Sequence, residues 1–277
     1  MPLVGAFVLP HGSMILEPKK RAVPKEAIEI HNAMVSVSNT IINLEPSLVF
    51  LTSPHGVALS HDFGIYLNVA GSGTAEWDDE YKEYEVHIDF DQEQAKRLLG
   101  YLRERGAFVS GISAFSTDVD APLRWGEVVP LWFLRNLSKE TRYIIMSQPM
   151  RRYKEAREMV SESLALGKNL KSFFESLEEK AIVIVSADLA HTHSRDGPYG
   201  FSETAKTFDS LIEKWASTMD ESLILGNASF ILENALCCGY VGLVILQGML
   251  EGTDFQSNVL ARANPTYYGM MVAAYIK

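Results

Sequence analysis

The sequence predicts an α/β fold: one domain over residues 1–277, built on a central mixed, mostly buried sheet with helices on both faces. Three observations lead there. Strand-length runs that are almost wholly apolar, such as "SLVFLTS" (47–53) and "AIVIV" (181–185), recur along the chain, and strands buried on both faces read that way. Stretches with apolar residues at helical spacing lie between them, as in a sheet covered on two sides. No repeat, low-complexity segment or Pro/Gly/Ser linker divides the 277 residues, a length over which one large domain can bury a full core.

The elements follow in order. "LVGAFVL" (3–9) reads as the first strand, and "PKEAIEIHNAMVSVSNTIINL" (24–44), with Pro at its start, as a helix. The second strand covers 47–53, and "GIYLNVAG" (64–71) and "YEVHIDFD" (84–91) read as two more. A helix is expected over 91–105, then the strand "AFVSGISAF" (107–115), the apolar segment "RWGEVVPLWFL" (124–134) and the strand "RYIIMSQ" (142–148). A long amphipathic helix is expected over 154–177 and the strand "KAIVIVSADLAH" over 180–191. Residues 201–250 read as mostly helical, and "TYYGMMVAAYI" (266–276) as a closing strand.

Composition narrows the function. A formal charge of −10 lacks the clustered Lys and Arg that phosphate backbones require, so nucleic acid is not an expected partner. The same acidity disfavours an anionic membrane surface. The longest apolar runs, "YVGLVILQGML" among them, fall short of a bilayer span. The N-terminus has no basic segment before its apolar run, so no signal peptide is expected. The two cysteines, Cys237 and Cys238, are adjacent and cannot staple a fold. A cytoplasmic location is expected.

Three of the seven histidines share one position. His11 in "LPHG", His55 in "SPHG" and His191 in "SADLAH" each follow an expected buried strand, where ligands bind in α/β sheets. Any one of them alone would be a strand-end residue bonded to a loop carbonyl. Three together suit a transition metal or acid–base chemistry. The Pro before each of His11 and His55 favours extended backbone, and the Gly after it permits a sharp turn.

"LPHG", "SPHG", "GEVVPL" and "SADLAH", in this order and spanning nearly the whole chain, resemble the class III extradiol ring-cleavage dioxygenases (catalytic LigB-type subunit), whose Memo-like relatives share the fold without the catalysis. The resemblance implies His11 and His55 as two ligands of Fe(II), with Zn or Cu as alternatives. It implies His191 as the acid–base residue, and a small catechol-type aromatic plus O2 as substrates. The third ligand is expected near "LENALCCGYVGLVILQGML" and is either Glu233, a carboxylate as in the dioxygenases, or Cys238, in a Cys-Gly pair like that of the Memo-like branch. Two histidines and a third donor on one face of the metal leave positions open for substrate and oxygen.

Other residues receive narrower expectations. Where dioxygenases often carry a histidine before the mid-chain Gly, this chain has Arg124 and Trp125. Trp125 is expected to stack on a ring and Arg124 to pair with a substrate carboxylate. His193 is expected to line the pocket or face solvent; His61 is expected to be a surface loop residue, with a place at the pocket mouth as the alternative. Asp188 either orients His191 or caps the following turn. "MRRYKEAR" (150–157) reads as a solvated helix start, with contact to an acidic substrate or a second subunit as the alternative. A homo-oligomer is expected by resemblance. A Memo-like metal-binding or interaction module is the alternative function, and a metal-dependent hydrolase ranks third.

Overall fold

The computed structural model describes residues 2–19, 22–76 and 82–277. Its first half runs β1 (Leu3–Leu9), α1 (Lys25–Leu44), β2 (Leu48–Ser53), β3 (Phe63–Tyr66), β4 (Ala70–Thr74), β5 (Glu85–Asp89), α2 (Gln92–Glu104), β6 (Val109–Ile112), β7 (Ala121–Pro122) and α3 (Trp125–Phe133). Its second half runs β8 (Arg142–Ser147), α4 (Arg152–Glu155), α5 (Val160–Glu175), β9 (Ala181–Ser186), α6 (Thr204–Thr218), α7 (Ser229–Ala235), α8 (Tyr240–Leu250), β10 (Gln256–Ala263) and β11 (Met270–Ile276). A π-helical segment, Ser222–Ala228, leads into α7.

Eight strands form the main sheet in the order β10-β11-β1-β9-β2-β8-β3-β6. The four at its centre, β1, β9, β2 and β8, are mutually parallel, while β11 joins β1 and β3 joins β8 antiparallel. The sheet is therefore mixed, as expected, with its parallel part innermost. Successive side chains of a strand face opposite sides, and here both sides are dry. Ala6, Val8, Leu48, Phe50, Val183 and Val185 pack in one apolar layer. Phe7, Leu9, Val49, Leu51, Ile182 and Ile184 pack in the other. The first layer is closed by α2, α5, α6, α7 and α8, the second by α1 and α3.

Local chemistry sets the helix limits. The buried face of α1 carries Ala27, Ile30, Ala33, Met34, Val37 and Ile41 at three- and four-residue intervals. It ends where Glu45 turns left-handed (φ 51°), just before Pro46. Asp91 starts α2 by accepting the Gln94 N–H at 2.9 Å. All eleven residues of α8 are buried, so it is an interior helix rather than an amphipathic one.

Several sequence boundaries move. "GIYLNVAG" is two strands in different sheets: β3 joins the main one, and β4 pairs with β5 and β7 in a separate three-stranded sheet. The strand expected over 107–115 shortens to β6, and Phe115 beyond it is solvent-exposed at φ 58°. "KAIVIVSADLAH" stops being a strand at Ser186, and the closing strand begins at Met270 rather than Thr266. β10, within 256–263, was not anticipated; its faces are only partly buried, so the apolar signal is weak at this sheet edge. Among the described residues, no helix is long and apolar enough to cross a membrane.

Candidate metal centre and its cavity

The parallel centre of the sheet explains how distant histidines meet. β1, β9 and β2 are neighbours, and His11, His191 and His55 follow their carboxyl ends. The His11 and His55 rings meet edge to face with centroids 4.8 Å apart. Cys238, just before α8, completes a triplet whose donor atoms with those of His11 and His55 all lie within 4.8 Å of one another. Glu233, the alternative third donor, is exposed on α7 and lines the cavity beside the triplet without joining it.

One hydroxyl sets the tautomer of His11. Ser186 donates its only O–H to the Gly126 carbonyl, so its Oγ accepts from His11 Nδ1 at 2.9 Å. The proton is thereby on Nδ1, and Nε2 carries a bare lone pair. That Nε2 lies 3.5 Å from Cys238 Sγ and 3.3 Å from Asp188 Oδ2. Three electron-rich atoms facing one another need a shared proton or a cation between them. A tetrahedral ion with bonds of about 2.0 Å to nitrogen and about 2.3 Å to sulfur spaces those donors roughly 3.5 Å apart. The donor set therefore fits a borderline or soft divalent ion.

Electrostatics agree with a metal-binding pocket. Burial holds His11 well below its ordinary pKa, with His55, His191 and Arg152 adding to the effect. His55 is lowered to about 3, by burial first and then by Arg152 and His191. Both imidazoles are thus neutral, the form that ligates. Burial pushes the Cys238 thiol up, and the nearby Asp188 adds to this; a bound cation would reverse that balance. Asp188 is raised to about 7 by burial, although the His11 and Gly12 N–H groups pull it back.

His191 faces the same cavity. Its Nδ1 donates to the Leu189 carbonyl at 2.8 Å, the Leu236 carbonyl also acts on the ring, and the ring stacks on Tyr268 at 5.3 Å. Burial lowers its pKa, and the Leu189 contact opposes that. The cavity, of about 200 Å³, is lined by His55, His191, Cys238 and Arg152, with Tyr153 and Tyr199 on its walls.

The remaining sequence candidates lie elsewhere. Trp125 stacks on His55, centroids 4.9 Å apart, and is 44% exposed. Arg124 is exposed at the start of α3, outside the cavity lining. His193 binds the buried Asp209 carboxylate at 2.8 Å, and His61 is an exposed loop residue; neither lines the cavity. Asp188 serves His11, accepting its backbone N–H at 3.1 Å, rather than His191. The glycines after His11 and His55 have no positive φ among the described residues. Their need is for space: a Cβ on Gly12 would lie 2.3 Å from Met270, and one on Gly56 would lie 2.3 Å from Glu127 Oε1.

Sequence reasoning missed two buried groups. Arg152, taken for part of a solvated run, is 5% exposed and lines the cavity. Glu127 is fully buried behind the His55 loop. Its Oε2 accepts the Arg124 N–H at 2.9 Å, and the Ser53 side chain also hydrogen-bonds the carboxyl. An arginine ten residues past a strand start and a glutamate inside an apolar helix were the available signals.

Residues 5–275 match the family model of the catalytic LigB subunit of aromatic ring-opening dioxygenase, and the chain belongs to that family. Among curated proteins it is similar to Protein CA_C1420 of Clostridium acetobutylicum, at 23% identity over 94% of this chain and 55% of that protein. The chain thus spans about half the length of that relative. Among solved structures it is similar to the uncharacterized protein JW3007 from Escherichia coli K12, with a TM-score of 0.62 and 13% identity, covering 98% of this chain and 99% of the other. That likeness is one of fold.

Proposed function

We propose that the chain is a non-haem Fe(II) extradiol dioxygenase that opens a catechol-type ring with O2, with His11, His55 and Cys238 as ligands and His191 as acid–base residue. The observation that carries this reading is the position of His191 on the same ~200 Å³ cavity as His55 and Cys238 of the ligand triplet. Bound iron would supply the meeting point of the aromatic diol and oxygen. The protein's part is to hold neutral imidazoles in fixed tautomers, to take a phenolic proton on His191 Nε2, and to return it to the product. Trp125 supports His55 by stacking, and burial keeps bulk water away from the ligands.

The test is oxygen uptake by anaerobically Fe(II)-loaded protein against catechols with and without a carboxylate. Stoichiometric uptake with a ring-opened product is expected. Iron that stays bound with no uptake across the panel would reject the reading. A second reading is favoured by Cys238: a thiolate donor suits Zn or Cu, as in a metal-binding or interaction module without ring cleavage. Tight Zn or Cu binding without oxygen consumption would select it.

A further inference from the structure

A buried carboxylate stands behind the wall of the cavity. Asp209, on α6, is fully buried and lies outside the cavity lining. One of its oxygens accepts the Ala190 N–H at 3.0 Å, and the other meets His193 Nε2 at 2.8 Å. These two partners lie on either side of His191 in the chain. The carboxylate also presses on backbone, since a Cβ on Gly269 would lie 2.1 Å from its Oδ2. Burying a carboxylate is costly unless donors compensate it. Here both donors belong to the segment that carries His191.

The rest of that segment is fixed by backbone. The His193 N–H donates to the Tyr267 carbonyl at 3.1 Å, the Gly269 N–H to Ala190 at 2.9 Å, and the His191 N–H to Ala235 at 2.8 Å. None of these bonds brings a charge, and Asp209 does. Its charge acts on the His191 ring in favour of a proton, against burial and His193. The other acids are engaged elsewhere or wet. Asp188 serves His11, and Glu158 and Glu233 are exposed at the cavity rim, where water and salt screen them. Tyr199, Tyr267 and Tyr268 surround the ring. His11 and His55 oppose a second charged imidazole, and Arg152 and Cys238 line the same cavity.

We propose that Asp209 is a positioning residue for His191: it clamps the chain on both sides of that histidine, and its negative charge stabilises the ring when it carries a proton. The inference rests on the acid–base role given to His191 in the dioxygenase reading. An imidazole in a dry cavity accepts a proton poorly, and acid–base catalysis is most effective near the operating pH. A carboxylate behind the wall supports the protonated ring and takes no space from a substrate.

The test is an NMR pH titration of the histidine rings in the metal-free full chain, with His191→Gln identifying the His191 signal. Asp209→Asn keeps an oxygen for the Ala190 N–H and removes the charge. It should lower the His191 pKa by about one unit, the scale of a nearby opposite charge. Asp209→Ser should do the same and serves if the asparagine variant does not fold. His193→Gln, which leaves the carboxylate in place, should not lower it. On iron-loaded protein, the acid limb of kcat/KM should move to lower pH in Asp209→Asn.

A His191 titration unmoved in Asp209→Asn or Asp209→Ser would overturn the proposal. So would an equal fall in His193→Gln, which would assign the effect to a loosened segment. A moved titration without oxygen uptake on the iron-loaded protein would reject the dioxygenase reading alone. Uptake with the titration unmoved would reject only this one.

Discussion

Ser186 decides which nitrogen His11 presents. Its hydroxyl hydrogen is committed to the Gly126 carbonyl, and its oxygen takes the His11 Nδ1 proton at 2.9 Å. Partners of this kind orient a ligating imidazole and raise its basicity. Ser186→Ala should therefore lower metal affinity by about 10- to 100-fold with the fold intact. Competition with a chromophoric chelator, alongside far-UV dichroism, measures both. Unchanged affinity would mean that the ring is fixed by packing against His55 alone.

Cys238 and Glu233 make opposite predictions about the third donor. Cys238 Sγ is 3.5 Å from His11 Nε2, whereas Glu233 is an exposed residue outside the triplet. Co(II)-loaded protein should show a thiolate charge-transfer band that Cys238→Ser abolishes and Glu233→Gln leaves alone. A band that survives in Cys238→Ser, or metal lost from Glu233→Gln, would transfer the role to the carboxylate.

The two outcomes show where sequence and structure part. His11, His55 and His191 are legible because each follows a run such as "AFVL", "LVFLT" or "AIVIV", and a parallel strand leads its next residues to the same edge. Which strands are neighbours is not written locally. Arg152 reaches the site only because β8 lies beside β2, and a basic run at a helix start looks the same whether or not the sheet draws one member inward. Asp188 misled for a related reason. Proximity in sequence to His191 suggested a partnership, but Asp188 accepts the backbone N–H of His11, which follows the neighbouring strand β1. The β10 edge strand escaped because half-buried faces dilute its alternation.

His191 should separate catalysis from metal binding. Its Nδ1–H is held by the Leu189 carbonyl and its ring by Tyr268, so His191→Gln should fold and keep its metal. Turnover should fall by about 10²–10⁴, the usual contribution of a positioned acid–base group. Metal analysis and single-turnover rates on the same sample distinguish the cases. Release of the metal from His191→Gln would make this residue a ligand.

Glu127 should leave a signature in the pH dependence of stability. Burial raises its carboxyl to about 7 against the stabilising pull of the Arg124 N–H, while an unfolded glutamate titrates near 4.3. The folded state therefore holds this proton more tightly than the unfolded state. Its contribution is fully present below about pH 4.3 and is lost as pH rises through about 7, a change on the order of 3 kcal/mol. Glu127→Gln keeps an oxygen for the Arg124 N–H and cannot ionise. Urea midpoints of the metal-free proteins should converge near pH 4 and diverge towards pH 8, with the glutamine variant the more stable there. Other buried groups titrate alike in both proteins and cancel from the difference. Parallel curves would mean that the carboxyl ionises as freely inside the fold as outside it.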